Sequence, residues 1–384
     1  MMTINRQSMP HRMQGLSLIE LMIAMVLGLT LAAGVIQIYV GNTVTERSQE
    51  ARGRIQENGR FGLNLLAQEF RMAAYLGCLG AMDPMSVNRT LNGAPASFQP
   101  FYGIQGWEAD GTDPGTIANS VANLAVVDTD DGGWGTAAVT PASVLPSTDA
   151  LPDSDIVRVW SASTQTGFVN TITAGVEPVI NITPMDVQVG DILLLSDCEQ
   201  ADWVQACKID VIGGGTSLDI TLNSDCAPGN VASAPITVQP GAEVSVLSGN
   251  LLYVGKRGNV ATNPPALFSA PLGNNALPGA AQELIEGVES MQLLYGVNLE
   301  NDLRNTADGY LPADLVTDWM DVVAVRVSLL MQSVEDGVVP APQNYIFNGV
   351  NYNGVGANGD LPQDNRVRRV FTATIGLRNR SLGT

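Results

Sequence analysis

Apolar and polar positions fall into three textures along the chain. Residues 16–36, LSLIELMIAMVLGLTLAAGVI, are apolar on every side, with Glu20 the single charge. At 1.5 Å rise per residue this run makes a helix of about 31 Å, enough to cross a bilayer. From residue 41 the chain turns polar without meeting a proline, and Leu63, Leu66, Ala67, Phe70 and Ala74 recur on one helical face. The pattern predicts one long helix over 16–76, apolar all round in its first part and amphipathic in its second. Gly53, Gly59 and Gly62 are expected to weaken it locally.

Beyond residue 77 the period shortens to two and turn residues punctuate it. Strands are expected at 155–160 and 191–195, and at 208–212 with 218–222 as a hairpin around Gly213-Gly214-Gly215. A second hairpin, 243–247 with 251–254, is expected to turn at Gly249-Asn250. Further strands are expected at 288–297, 322–331 and 367–377. Residues 82–155 carry little pattern and read as a loop-rich insertion. The fold class is therefore α+β: a long N-terminal helix, membrane-spanning in its first half, packed on a β-rich globular head. The expected organisation is a leader at 1–15, a membrane or core helix at 16–40, its amphipathic continuation at 41–78, and the head at 79–384.

Composition narrows the function. The 384 residues hold 38 acidic and 19 basic side chains, a formal net charge of -19, with Lys208 and Lys256 the only lysines. An acidic surface cannot displace the counterions of DNA or RNA, so no nucleic-acid partner is expected. One histidine, His11, lies in the leader. With the leader removed, imidazole acid–base chemistry, Ser-His or Cys-His nucleophiles and histidine metal ligands are excluded. No catalytic residue, cofactor or resident metal is expected, and the chain reads as a non-enzyme.

Several motifs match a pattern without its context. Residues 354–359, GVGANG, fit G-x-G-x-x-G, but asparagines precede them and Asp360-Leu361-Pro362 follows. The strand and helix of a dinucleotide site are missing, so a loop is expected. Residues 128–133, DTDDGG, resemble a calcium loop in composition but put Gly132 and Val139 where ligands belong. The acidic groups Asp149, Asp153 and Asp155, and Asn298, Glu300 and Asp302, are read as solvated turns.

Cys78, Cys198, Cys207 and Cys226 are even in number, and a head outside the cytoplasm favours disulfides. Cys207 and Cys226 flank the Gly213–Gly215 hairpin and could pair across it, which would leave Cys78 with Cys198; Cys198 with Cys207 competes. The spacing does not suit zinc.

Glu20 sets a problem of its own, because a carboxylate one turn into an apolar span costs a few kcal/mol if unpaired near the bilayer centre, somewhat less here. Cleavage after Gly15 would create an α-amine on Leu16, and Glu20 of a neighbouring helix could pair with it at a fixed axial offset. Ala24, Gly28 and Ala32 recur every four residues as a small-residue stripe that lets helices approach closely.

These residues carry a resemblance. The run GLSLIELMIA at 15–24 is similar to the cleavage motif of type IV prepilins and type II secretion pseudopilins. The resemblance implies a prepilin peptidase that cuts between Gly15 and Leu16 and N-methylates Leu16, with Glu20 kept for assembly. Leu16 in place of phenylalanine, and Gln37 where a proline is usual, favour a minor over a major pilin. In the head, YLGC at 75–78, LSDC at 195–198, IEGVE at 285–289, YGV at 295–297, VRVSLL at 325–330 and RRVFTATIGLRN at 368–379 resemble the PilW family of minor pilins. The resemblance supports Cys78–Cys198 beside Cys207–Cys226. It implies other minor pilins and the major pilin as partners, an inner-membrane anchor with the head in the periplasm, then a place in the pilus on the cell surface. Expected processes are priming of pilus assembly, twitching motility and surface attachment. Two alternatives stand beside it: a type II secretion minor pseudopilin, and a tip adhesin that binds a ligand through residues 82–155.

Overall fold

The computed structural model describes residues 17–77, 87–89, 91–92, 100–109, 112, 134–135, 150–223, 225–231, 236–260, 262–273, 279–298, 306–354 and 361–380. Gly15, Leu16, Cys78, most of 82–149, Glu300, Asp302 and most of the GVGANG motif lie outside the described residues.

Helix α1 (Leu18–Met72) is continuous over 55 residues. It stops four residues before the expected end. Ala74 takes a left-handed backbone with φ 59°, and its N–H donates to Trp160 O at 3.0 Å, so the chain leaves the helix onto a strand. Compact units divide inside the helix, at Glu50/Ala51.

In chain order the strands are β1 (Val87–Arg89), β2 (Ile104–Ala109), β3 (Trp134–Gly135), β4 (Ile156–Thr173), β5 (Val179–Ile182), β6 (Ile192–Ser196), β7 (Ala201–Gln205), β8 (Lys208–Ile212), β9 (Ser217–Thr221), β10 (Glu243–Lys256), β11 (Pro265–Pro271) and β12 (Gln282–Glu286). These join in one sheet, ordered β1-β7-β6-β10-β4-β5-β9-β8, with β11 and β12 branching from β10 and β2 and β3 from β4. A second sheet is ordered β14-β13-β15-β18, from β13 (Val288–Val297), β14 (Gly309–Leu311), β15 (Val322–Gln332) and β18 (Arg368–Gly376). The hairpin β16 (Tyr345–Phe347) with β17 (Val350–Tyr352) stands apart from both. Among the described residues all pairings are antiparallel except β1 with β7. The fold is α+β and pilin-like: one long apolar N-terminal helix and a β-rich head.

One hairpin expected from sequence does not form. Residues 243–256 are a single strand that runs straight through Gly249-Asn250, pairing Gly249 with Trp160 and Asn250 with Val159. The glycine is there for space: a Cβ on Gly249 would lie 2.4 Å from the Trp160 ring. The hairpin of β8 and β9 around Gly213–Gly215 does form, with positive φ at all three glycines.

Strand β4 sorts the cores by its alternation. Val157 and Val159 face the core shared with α1, while Ile156 and Trp160 face cores on the other side. A distal core of Val169, Ile180, Ile182, Leu193, Leu195, Val204 and Ile220 lies among β4 to β9.

Candidate assembly surface

At its N-terminal end α1 is closed by a reciprocal cap. Glu20 N–H donates to Ser17 Oγ at 3.2 Å, and Ser17 N–H donates to Glu20 Oε2 at 3.3 Å. This is a capping box: two amides with no helical acceptor above them are satisfied by one serine and one glutamate three residues apart. Glu20 thus holds a hydrogen bond and favours the positive end of the helix dipole. The spacing S-x-x-E was visible in the sequence, but its capping role was not drawn from it.

From Leu18 to Val44 the helix keeps its apolar side chains exposed, Leu18 at 77%, Leu31 at 72% and Tyr39 at 72% among them. This is the one described helix long and apolar enough to cross a membrane. Its threonine hydroxyls are satisfied within the helix: Thr30 donates to Leu27 O, Thr43 to Tyr39 O and Thr45 to Gly41 O. Ala24, Gly28 and Ala32 are exposed along it, and nothing lies within 4 Å of where a Cβ on Gly28 would stand.

The second part of α1 has its partner. Ala51, Ile55, Gly59, Gly62, Leu66, Ala67 and Phe70 are buried, spaced at three and four residues. They pack on Met291, Leu293, Tyr295, Val325, Val327, Leu329 and Ile375 of β13, β15 and β18. Gly59 and Gly62 are points of close approach rather than weak points. A Cβ on Gly59 would lie 2.4 Å from the Phe371 ring, and one on Gly62 would lie 3.0 Å from Ile285 Cδ1. Polar contacts fix the register. Asn58 Nδ2 donates to Glu286 O at 3.3 Å, Asn250 Nδ2 to Glu69 Oε2 at 3.2 Å, and Asn379 Nδ2 to Ala73 O at 3.0 Å and Arg71 O at 3.2 Å.

Two charged groups in the head depart from the sequence reading. Asp155 is buried rather than part of a solvated turn: its carboxylate accepts from Ala109 N–H at 3.0 Å and Leu293 N–H at 2.6 Å, joining β2 to β13. Asn298 is buried as well. Arg158, the only basic residue between Arg89 and Lys208, is fully buried between strands. Nη2 donates to Gln105 Oε1, and the guanidinium lies 5.4 Å from the Trp107 ring centroid and 5.8 Å from that of Trp160. Among the described residues its Nε and Nη1 have no hydrogen-bond partner, and burial pulls its pKa down to about 10. Nothing in the sequence distinguished this arginine from a surface one.

A second cluster centres on Arg368, which is bidentate to Glu289 at 2.7 and 3.1 Å and to Asp364 at 2.6 and 2.8 Å. Burial raises the Glu289 pKa against the opposing pull of Arg368. Burial first, then Glu289, raises Asp153 to about 6. Asp153 and Asp155 therefore do not form one ligand set, and no group of three or more His, Cys, Asp or Glu among the described residues is placed to hold a metal.

Cys207 and Cys226 form a disulfide, with Cα atoms 5.3 Å apart, that closes the hairpin of β8 and β9. That removes the competing Cys198–Cys207 pairing. Cys198 is itself disulfide-bonded, and Cys78, the partner expected for it, lies outside the described residues.

Comparison with known proteins adds two matches. The family model described as type IV pilus-assembly protein W matches residues 252–379, from within β10 to just past β18. That span contains every strand on which α1 packs through the second sheet. The model of the prokaryotic N-terminal methylation motif matches residues 10–36. No curated protein and no solved structure matches the chain.

Proposed function

We propose that this chain, a type IV pilin-like protein of the PilW family, serves as a minor pilin that primes assembly of a type IV pilus. The family is structural rather than enzymatic, and its members work in contact with other pilus components. The observation that carries the reading is the contrast along α1. Its head-side part is packed, while Leu18 to Val44 presents bare apolar surface behind a methylation motif. Such a surface requires a bilayer before assembly and neighbouring helices after it.

The residues take these roles. Prepilin peptidase cuts between Gly15 and Leu16 and methylates the Leu16 amine, with residues 1–15 as the leader. Residues 16–40 anchor the chain in the inner membrane with the head in the periplasm, then enter the filament core. Ala24, Gly28 and Ala32 line the helix contacts. Glu20 exchanges its capping hydrogen bond for the α-amine of a neighbour, and Cys78–Cys198 ties the end of α1 to β6. Twitching motility and surface attachment follow from the assembled pilus.

The test is the intact mass of the protein from cells with and without prepilin peptidase. A loss matching residues 1–15 together with a gain of one methyl group is expected only where the peptidase is present. An uncut chain would reduce residues 16–36 to a plain anchor and end the pilin reading. Glu20→Ala is expected to leave membrane insertion intact and to abolish priming; normal piliation by this variant would remove the pairing role.

A further inference from the structure

The geometry points to the free edge of β18 as a strand-receiving surface, filled by an extended segment of a different subunit of the pilus. This rests on the pilin reading for the source of the partner. The edge itself follows from hydrogen-bond parity. Strand β18 pairs with β15 over nine residues without a register shift, from Gly376 with Ala324 to Arg368 with Gln332. Just beyond either end, Leu377 N–H donates to Val323 O and Ser333 N–H donates to Val367 O, each at 2.9 Å. In an antiparallel ladder the residues that bond inward alternate with those that do not. The odd-numbered residues of β18 therefore bond β15, and Arg368, Val370, Thr372, Thr374 and Gly376 turn their N–H and C=O groups outward. Thr372, Thr374 and Gly376 are exposed.

Natural edges are kept short, charged or bulged so that no other strand can add to them. Among the described residues the other sheet edges follow this rule. Strands β1, β3 and β14 have two or three residues. Strand β8 carries the Lys208–Asp210 ion pair at 2.6 Å, and β12 carries Glu283 and Glu286 and meets β11 through a bulge. Strand β18 carries charge only at its start, on Arg368 and Arg369; residues 370–376, VFTATIG, hold no charge and no proline, and the pairing with β15 has no bulge. Its inward side chains Phe371 and Ile375 are fixed against α1 and the core, so the edge is presented on a rigid support.

Charge selects the occupant. A second copy would bring together two chains of net charge -19. A segment from another subunit escapes that repulsion where its own net charge is small or positive. Its middle, opposite residues 370–376, is uncharged and β-branched or small, and a carboxylate falls at the end beside Arg369. That guanidinium is exposed and lies 5.5 Å from the Phe371 ring centroid.

The experiment uses the full chain in detergent, alone and in complex with the pilin subunits purified with it from native membranes. Hydrogen exchange of the peptide 368–377 is followed in both. The expected result is exchange slowed about tenfold or more at the outward amides in the complex. The variant Thr372→Pro removes an outward N–H and no bond to β15, and it is expected to lower recovery of the partner subunits about tenfold. Thr372→Val, which loses only the hydroxyl contact with Ser328 Oγ at 3.1 Å, is expected to recover them fully. Unchanged exchange with full recovery by Thr372→Pro would overturn the surface, as would a β18-to-β18 cross-link between two copies. The mass of the same sample separates the two readings. A chain cut after Gly15 with an unprotected edge overturns the edge alone, whereas an uncut chain without pilin partners overturns both.

Discussion

The two parts of α1 solve the same problem in opposite ways. Both are helical, both carry glycines, and both bear large apolar side chains. Between Ala51 and Phe70 those side chains are buried against the protein's own β13, β15 and β18. Between Leu18 and Val44 they are exposed. The glycines show the contrast most directly. Positions 59 and 62, on the buried face, are filled to contact by Phe371, Ile285 and Leu329, whereas Gly28, Gly34 and Gly41 have nothing within 4 Å of where a Cβ would stand; Gly53, on the exposed face of the head-side part, is open as well. A helix-interior glycine costs about 1 kcal/mol relative to alanine. In the head-side part close packing offsets that cost within one chain. In the N-terminal part the protein itself supplies no such packing among the described residues, and on the pilin reading neighbouring helices would supply it.

The largest effect should come from deleting packed volume on the head side. Phe70 is completely buried in the core that joins α1 to the second sheet. Phe70→Ala is expected to cost about 3–5 kcal/mol, read from thermal or denaturant unfolding of the head. Leu29→Ala, at a side chain 70% exposed, should leave the same transition unmoved. Equal losses at both sites would mean that the N-terminal part has an intramolecular partner, and the comparison would fail.

Next in size is overpacking at the close approach. Gly59→Leu forces a side chain into the space of the Phe371 ring and should cost about 1–3 kcal/mol. Gly28→Leu should leave head stability unchanged and instead reduce incorporation into pili, measured by the amount of the chain in sheared filaments. A Gly28→Leu chain incorporated normally would show that the small-residue stripe makes no close helix contact.

How much of this was legible in the sequence follows from the range of each interaction. The apolar run at 16–36, the helical stripe through Leu66 and Phe70, and the strands β13, β15 and β18 rest on local periodicity, and their positions could be read within a few residues. The methylation motif was legible through its resemblance to the prepilin cleavage motif, and a family model matches it over residues 10–36. What failed depended on distant partners. Gly249-Asn250 has the composition of a turn, yet Trp160 on β4 takes the space that a side chain at 249 would fill. Gly59 reads as a helix weakener until Phe371, more than 300 residues on, is placed against it. Asp155 reads as a solvated acid until the amides of Ala109 and Leu293 converge on its carboxylate. Burial of Arg158 between Trp107 and Trp160 leaves no periodic trace at all. The Ser17–Glu20 cap is the exception, because it is local and its S-x-x-E spacing stands in the sequence.

The smallest effect separates the two parts by pH. Asp153 lies beside Glu289, and Glu289 is held by Arg368, which also binds Asp364. Burial, then the Glu289 charge, lifts the Asp153 pKa from an ordinary 3.8 to about 6. A carboxyl whose folded pKa is raised binds its proton more tightly in the folded state. Its contribution to stability is therefore complete below about pH 4 and is lost as pH rises through about 6. Asp153→Asn removes that loss and should raise head stability at pH 7 by about 1–2 kcal/mol, discounted for partial exposure. The gain of the variant over the parent should shrink to nothing by about pH 4. Asp364, whose pKa is lowered by Arg368, works in the opposite direction and is common to both proteins, so it cancels in the difference. A gain that is constant from pH 4 to 7 would show that Asp153 acts through packing rather than charge. Glu20, the one carboxyl between residues 18 and 44, is exposed, so no gain of this buried-carboxyl kind is expected from that part.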